Sequence, residues 1–152
     1  MLKIQQILRD ENGKNLLDDC FDTILIKENC IITINNKCYG FYTRPGFKRV
    51  LSCEWDKIIL EGDYIIASKR LKTGLWKVNG DKIIKPEWDK IILTPHGIIV
   101  IKEKKQGFFD YQGNMILNCE WKKIISYPKV LLAYPGNRKK VVFDYRGKVI
   151  EA

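Results

Sequence analysis

The sequence predicts an all-β protein built from internal repeats, and three observations carry that reading. Glu-Trp pairs recur at a fixed interval: Glu54-Trp55, Glu87-Trp88 and Glu120-Trp121 stand 33 residues apart. Glycines mark the same period, with Gly13, Gly46, Gly80, Gly113 and Gly147 spaced by 33 or 34 residues. Finally, no window holds a helical apolar period over the roughly ten residues a helix needs. Runs rich in Ile, Val and aromatic residues are instead bounded by Gly and Asn, which suits half-buried strands and tight turns. A period of this length is the signature of a stacked or circular repeat architecture.

The repeat extends well beyond the Trp residues. The words Cys53-Glu54-Trp55-Asp56-Lys57-Ile58-Ile59, Pro86-Glu87-Trp88-Asp89-Lys90-Ile91-Ile92 and Cys119-Glu120-Trp121-Lys122-Lys123-Ile124-Ile125 are variants of one pattern. Six residues before four of the marker glycines open Gly40-Phe41-Tyr42, Gly74-Leu75-Trp76, Gly107-Phe108-Phe109 and Val141-Val142-Phe143. In the first unit Ile7-Leu8-Arg9-Asp10 holds that place, and Phe21-Asp22 stands where Trp55-Asp56 stands later. Units therefore begin near residues 7, 40, 74, 107 and 141. Four are complete and the fifth stops after its first third, so residues 1–152 read as a single repeat domain. The divergent first unit and the truncated last one fit terminal caps.

The third unit illustrates the strands expected in each. Residues 75–78 form one, Asn79-Gly80-Asp81 turns the chain, and residues 82–85 and 88–93 follow. Thr94-Pro95-His96-Gly97 turns it again before a strand at 98–104. Asn-Gly between apolar runs is a strong hairpin signal, because both residues tolerate positive backbone angles. Antiparallel hairpin repeats of this kind allow two geometries. The favoured one is an open, twisted stack or solenoid. The alternative is a small closed ring resembling a propeller, in which residues 141–150 dock on the first unit. In either, alternation sets each Trp opposite its flanking carboxylates, so Trp55, Trp88 and Trp121 should be equivalent core residues with Glu and Asp at the rim.

With these words in place, the chain resembles the WG-repeat proteins of bacteria. Gln106-Gly107-Phe108-Phe109-Asp110-Tyr111-Gln112-Gly113 and Glu54-Trp55-Asp56-Lys57-Ile58 match the two halves of that family's unit, with Trp in its usual Tyr position. The namesake Trp-Gly is absent. Tyr39, Thr73, Gln106 and Lys140 occupy its Trp position, and Tyr39-Gly40 comes closest. The resemblance spans residues 7–150. It implies a β-repeat fold and assigns no chemistry.

Charge narrows the class of partner. Net charge is +9, but residues 1–35 carry four basic and six acidic side chains, whereas residues 36–152 carry 23 and 12. The basic residues recur by unit in the turns that precede each Gly-aromatic strand. These are Lys69, Arg70 and Lys72, then Lys102, Lys104 and Lys105, then Arg138, Lys139 and Lys140. Lys57, Lys90 and Lys123 form a second series. Stacked positions of this kind would attract a polyanion or an acidic protein. Equally, Lys on turns and edge strands keeps a β-protein soluble and unpaired.

Nothing in the pattern requires catalysis, a metal or a cofactor. Glu54, Asp56, Glu87, Asp89 and Glu120, with Asp22 in the first unit, come in near-identical copies. A hydrolase needs one asymmetric pair, so a repeated Asp before two Ile residues reads as a turn cap or a partner for the adjacent Lys. His96 stands alone in a turn, no Ser occupies a nucleophile elbow, and the glycines sit in hairpin turns instead of a phosphate loop. Five cysteines, Cys20, Cys30, Cys38, Cys53 and Cys119, lack Cys-x-x-Cys spacing and read as reduced, packed thiols. Met1 to Asp10 lack a signal-peptide core and no run approaches a membrane span, so a reducing cytoplasm is expected. Aromatics Tyr42, Tyr64, Phe108, Tyr111, Tyr127 and Tyr134 interleave with cations, as in single-strand nucleic-acid grooves. In repeat-equivalent places they also read as core. Two functions follow as expectations. The first is a non-enzymatic protein-binding module for an acidic partner, of the kind a cytoplasmic immunity protein uses to block a toxin. The second is nucleic-acid or nucleotide binding through the same turns.

Overall fold

The computed structural model describes residues 6–17 and 20–152, so the first five residues of the stretch read for a leader lie outside it. Sixteen strands follow one another and, among the described residues, no helix occurs. They are β1 (Thr23–Ile26), β2 (Cys30–Asn35), β3 (Cys38–Thr43), β4 (Arg49–Trp55), β5 (Lys57–Glu61), β6 (Tyr64–Lys69), β7 (Lys72–Lys77) and β8 (Lys82–Trp88). The second half holds β9 (Lys90–Thr94), β10 (Gly97–Lys102), β11 (Lys105–Phe109), β12 (Met115–Trp121), β13 (Lys123–Ser126), β14 (Leu131–Tyr134), β15 (Val141–Phe143) and β16 (Val149–Glu151). They form four sheets of four strands, each in plain sequence order: β1-β2-β3-β4, β5-β6-β7-β8, β9-β10-β11-β12 and β13-β14-β15-β16. The pairings are antiparallel hairpins, as in Ile31 against Tyr42 and Ile99 against Phe108. The all-β repeat expected from sequence is therefore present as four up-and-down sheets.

Sequence units and sheets are out of phase by half a repeat. The sheets begin at Thr23, Lys57, Lys90 and Lys123, while Gly40, Gly74 and Gly107 lie inside the third strand of a sheet. The Glu-Trp word explains the offset, because it closes one sheet and opens the next. Trp55 ends β4, Lys57 starts β5, and Asp56 alone stands between them; Asp89 and Lys122 hold the same place later. The break expected near Pro86 falls instead at Asp89, and β8 runs through the proline. As the last strand of its sheet, β8 has an outer edge where a missing N–H costs nothing. Ahead of β1, the described residues of the first unit form a hairpin. Gln6 bridges Phe21, Arg9 bridges Asn15, and the Leu16 amide donates to the Leu8 carbonyl at 2.8 Å.

Gly46, Gly80, Gly113 and Gly147 occupy the turn between the third and fourth strands of the four sheets, and Gly13 the turn of the hairpin that precedes them. All five have positive φ, from 82° at Gly13 to 106° at Gly46, a region that favours glycine. An acidic residue three positions earlier holds the turn in three units. Asp110 Oδ1 accepts from the Gln112 and Asn114 amides, and Asp144 Oδ1 from those of Arg146 and Lys148. Asp10 Oδ1 does the same for Asn12 and Lys14. The Lys148 amide is the main reason that the Asp144 carboxyl lies below the usual Asp range.

The chain divides into two compact units, one of residues 1–70 and 75–82, the other of residues 71–74 and 83–152. In the first, Cys30, Ile32, Phe41 and Leu51 of one sheet pack against Ile65, Ala67, Trp76 and Val78 of the next. A second cluster joins Leu17 and Phe21 to Ile31 and Tyr42. In the second unit, Ile99, Phe108 and Leu117 meet Ile124, Leu131, Ala133 and Phe143. One joint recurs throughout: the aromatic that ends a sheet stands edge-on to an aromatic of the following sheet's third strand. Trp55 meets Trp76 at 5.2 Å and 81°, Trp88 meets Phe109 at 5.7 Å and 76°, and Trp121 meets Phe143 at 5.6 Å and 77°. Phe21 meets Tyr42 in the same way at 6.1 Å. Such edge-to-face pairs contribute beyond the area they bury.

The three Trp residues are not fully equivalent. Trp55 and Trp88 are buried, whereas Trp121 is half-buried. Its neighbour β15 has only three residues and follows a long loop, which leaves a surface cleft of about 270 Å³ beside the indole. Glu54, Asp56, Glu87, Asp89 and Glu120 are all exposed, as alternation requires.

Candidate functional site

The site candidates lie on the second hairpin of each sheet, where the sequence placed its basic turns. In three sheets that hairpin is a two-residue turn with both central residues at positive φ: Asn36-Lys37, Arg70-Leu71 and Glu103-Lys104, at 51–52° and 65°. This matches the left-handed pair that strand twist favours in tight hairpins, but five of the six residues are neither Gly nor Asn. A repeated carboxylate compensates. Asp22 Oδ2 accepts the Asn36 amide at 2.9 Å, Asp56 Oδ2 the Arg70 amide at 2.8 Å, and Asp89 Oδ2 the Glu103 amide at 2.9 Å. The Asp56 and Asp89 amides in turn donate to Ser68 and Ile101 carbonyls. The recurring Asp is thus a turn cap, which accounts for its copies without any catalytic role.

The fourth sheet departs from the pattern. Lys122 stands where the capping Asp should be, so the fourth sheet lacks the carboxylate that caps the tight turn in the other three. The Lys122 amide still donates to the Tyr134 carbonyl at 2.9 Å, so the chain crosses between sheets as before. The hairpin itself has opened into a loop of residues 135–140, with Gly136 at φ 118° lying over the Lys122 stem. Three surface clefts surround this loop. One of about 450 Å³ is lined by Tyr134, Arg138, Lys139, Lys140, Val142 and Glu151, together with Ala152. Another of about 410 Å³ is lined by Lys122, Lys123, Ile125, Tyr134 and Gly136. The third lies beside Trp121, Pro135, Arg138, Lys139 and Val141. Five cations therefore converge here, with Glu151 the carboxylate side chain among the lining residues.

The sequence-derived basic residues have different surroundings. Lys69 is half-buried, its Nζ 3.0 Å from Glu54 Oε1 and 5.9 Å from the Trp55 ring centroid. It is the main cause of the lowered Glu54 carboxyl pKa. Lys72 reaches Asp89 at 3.8 Å. These two serve internal contacts, while Arg70 is exposed on its turn. Lys69 and Arg70 belong to the first unit, and Lys72 to the second. Lys102, Lys104 and Lys105 are exposed around the third sheet's turn, and Arg138, Lys139 and Lys140 on the fourth sheet's loop, all in the second unit. The residue missed from sequence is Lys122. Its signal was visible as the one break in the Trp-Asp-Lys word.

The remaining chemical candidates have structural partners. Tyr111 Oη donates to the Thr94 carbonyl at 2.5 Å, and Tyr145 Oη to the Tyr127 carbonyl. The His96 amide donates to Thr94 Oγ1, and its ring lies 6.0 Å from that of Tyr145. Cys53 and Cys119 donate to the Cys38 and Lys105 carbonyls at 3.1 Å. Burial raises both thiols, and that of Cys30, above the ordinary cysteine value, so they are protonated at neutral pH. All five cysteines are free thiols. Among the described residues, no group of three or more His, Cys, Asp or Glu side chains is placed to hold a metal ion, and no helix is long and apolar enough to cross a membrane.

No family model matches the chain, and no curated protein matches it. Several solved structures resemble it at low identity. Kluyveromyces lactis Hsv2 is 17% identical over 77% of this chain and 42% of its own, with a TM-score of 0.41. HIRA residues 644–1017 are 16% identical over 65% and 40%, with a TM-score of 0.38. The computationally designed Ika4 protein is 7% identical over 87% and 98%, with a TM-score of 0.40. The chain spans less than half the length of the Hsv2 and HIRA chains it matches.

Proposed function

We propose that the protein is a non-enzymatic binding module whose second unit docks an acidic protein surface. The observation that carries this reading is the fourth sheet's opened hairpin. A capping carboxylate has been exchanged for Lys122, and the freed loop gathers Lys122, Lys123, Arg138, Lys139 and Lys140 around clefts large enough for side chains. The adjacent sheet adds Lys102, Lys104 and Lys105 at the equivalent hairpin. Among the described residues none of these eight cations is held in an ion pair, unlike Lys69 and Lys72. Cations on a protein rim mainly raise the association rate and select partners by charge. The five free thiols support a reducing compartment. A cytoplasmic inhibitor that blocks a toxin by direct contact, as an immunity protein does, fits this combination.

Nucleic acid is the weaker reading because its stacking platforms are missing. Single-strand binders need open aromatic faces beside their cations. Of the six interleaved aromatics, Tyr42 and Phe108 are buried, and Tyr64, Tyr111 and Tyr134 are half-buried. Tyr127 alone among them is exposed.

Titration with a poly-glutamate peptide and with a single-stranded RNA homopolymer, at rising salt, tests the proposal. The peptide should bind in a salt-dependent manner. Reversing Arg138, Lys139 and Lys140 to Glu should weaken it at least tenfold with the fold intact. Reversing Lys14, in the acidic first unit, should change little. Sub-micromolar RNA binding with a steep salt slope would overturn the protein-partner reading. Equal effects of the two reversals would reduce the loop to a solubility feature. If a toxin gene adjoins this one, co-expression testing rescue by the wild type and not by the triple reversal addresses the immunity role.

A further inference from the structure

The fourth sheet leaves open a contact that the second sheet fills with its own side chain. In the register of the first two strands Lys57 faces Ser68, Lys90 faces Ile101 and Lys123 faces Tyr134. Lys69, Lys102 and Pro135 therefore occupy one repeat position. Lys69 uses it to lie over the indole that ends the preceding sheet, with Nζ 5.9 Å from the Trp55 ring centroid and 3.0 Å from Glu54 Oε1. Proline has no stem of that length and no charge to hold there. Trp121, the equivalent indole, keeps its edge-on partner Phe143 at 5.6 Å but is half-buried, where Trp55 and Trp88 are buried.

What the missing side chain leaves is the cleft of about 270 Å³ beside Trp121, and every residue that lines it belongs to the second unit. Trp121, Pro135 and Val141 supply the apolar lining, while Arg138 and Lys139, both exposed, add two cations. Glu120, which matches Glu54, is not among the lining residues. The volume suits one large side chain. It falls below the roughly 300–1,000 Å³ of clefts that enclose a whole small-molecule ligand. An apolar pocket beside charged groups is the arrangement in which interfaces concentrate their binding energy. The cations select carboxylates, and the indole favours an aromatic ring met edge-on or offset.

We infer that the acidic partner inserts one aromatic side chain, flanked by its own carboxylates, into the Trp121 cleft. This rests on the acidic-partner reading above and adds an anchor to it. Charge alone holds a partner loosely and in many registers, because rim cations act mainly on the rate of encounter. A ring seated between Trp121, Pro135 and Val141 fixes one register and slows dissociation. Arg138 and Lys139 then meet the carboxylates beside the ring. The partner thereby supplies from outside the cover that Lys69 gives Trp55 within the chain.

Two peptides of equal length and charge, a run of Glu interrupted at its centre by either Phe or Ala, test this when titrated against the full chain. The Phe peptide should bind about tenfold tighter or more, and the ratio should persist as salt is raised. It should also shift the indole emission, and the shift should vanish in Trp121→Phe. Pro135→Lys, which puts back the residue type of Lys69, should remove the preference for Phe. The same change adds a cation, so the Ala peptide should bind at least as well as before; circular dichroism would verify the fold of both variants. Equal affinities of the two peptides for the wild type would overturn the anchor and leave the acidic-partner reading standing. Binding of neither peptide would overturn both. A preference for Phe that survives Pro135→Lys would seat the ring elsewhere and overturn the cleft. The same emission shift on adding the RNA homopolymer, or on raising the protein concentration alone, would give the cleft to nucleic acid or to a second copy and overturn the inference.

Discussion

Thr33 shows how a single residue can break a repeat's own logic. It lies on β2 with no measurable exposure, and among the described residues its Oγ1 has no hydrogen-bond partner within ordinary distance, the Cys53 thiol being directed to the Cys38 carbonyl. The equivalent positions on β6, β10 and β14 are Ala67, Val100 and Ala133, all equally buried and all apolar. A buried hydroxyl without a partner loses its hydration with nothing in return, a cost of about 1–3 kcal/mol. Val has the same branched shape, and the third sheet already accepts it at Val100. Thr33→Val should therefore raise unfolding stability by about 1 kcal/mol, measured as a higher urea midpoint at unchanged slope. A lowered midpoint would mean that the hydroxyl has a role the apolar copies lack.

At the scale of the element, the hairpin between second and third strands is decided by a residue outside it. Glu103-Lys104 adopts two positive φ angles that neither residue favours, and Asp89 holds the first of them by its amide. Asp89→Ala should destabilise the protein by about 1 kcal/mol, the usual net worth of one hydrogen bond. Replacing Glu103-Lys104 by Asn-Gly should recover most of that loss, because the pair adopts the turn without help. Failure of the rescue in thermal denaturation would place the role of Asp89 elsewhere, for example in its contact with Lys72. The same argument explains the fourth sheet. With Lys122 in the capping place, a tight turn has no support, and a longer loop with its cluster of cations takes over.

At the scale of the whole molecule, the recurring joint is an edge-on aromatic pair between successive sheets. Trp88 on Phe109 is its best-buried example in the second unit, with Trp88 only 6% exposed. Trp88→Ala should cost about 3–5 kcal/mol, as when a large aromatic leaves a core. Trp121→Ala should cost less, since the cleft beside it already exposes the ring. Equal losses for the two, read from denaturant unfolding, would contradict the burial difference. An unchanged melting temperature for Trp88→Ala would contradict the joint itself.

The sequence by itself determined the strand content, the period and the identity of the core and rim positions. These follow from local rules: alternation places Trp inside and its flanking carboxylates outside, and the Asp-x-x-Gly words are short turns that close on themselves. It also pointed to Asp22, Asp56 and Asp89 as structural, either turn caps or partners for the adjacent Lys, since a residue copied from unit to unit serves the unit; the fold shows them as turn caps. Where each sheet starts was not legible, because a repeat has no intrinsic beginning. Only strand pairing shows that Asp56, Asp89 and Lys122 sit at the crossings. Nor could the sequence separate Lys69 and Lys72, engaged by Glu54 and Asp89, from the cations of residues 138–140. Those contacts join residues 15 and 17 positions apart, and folding alone brings them together.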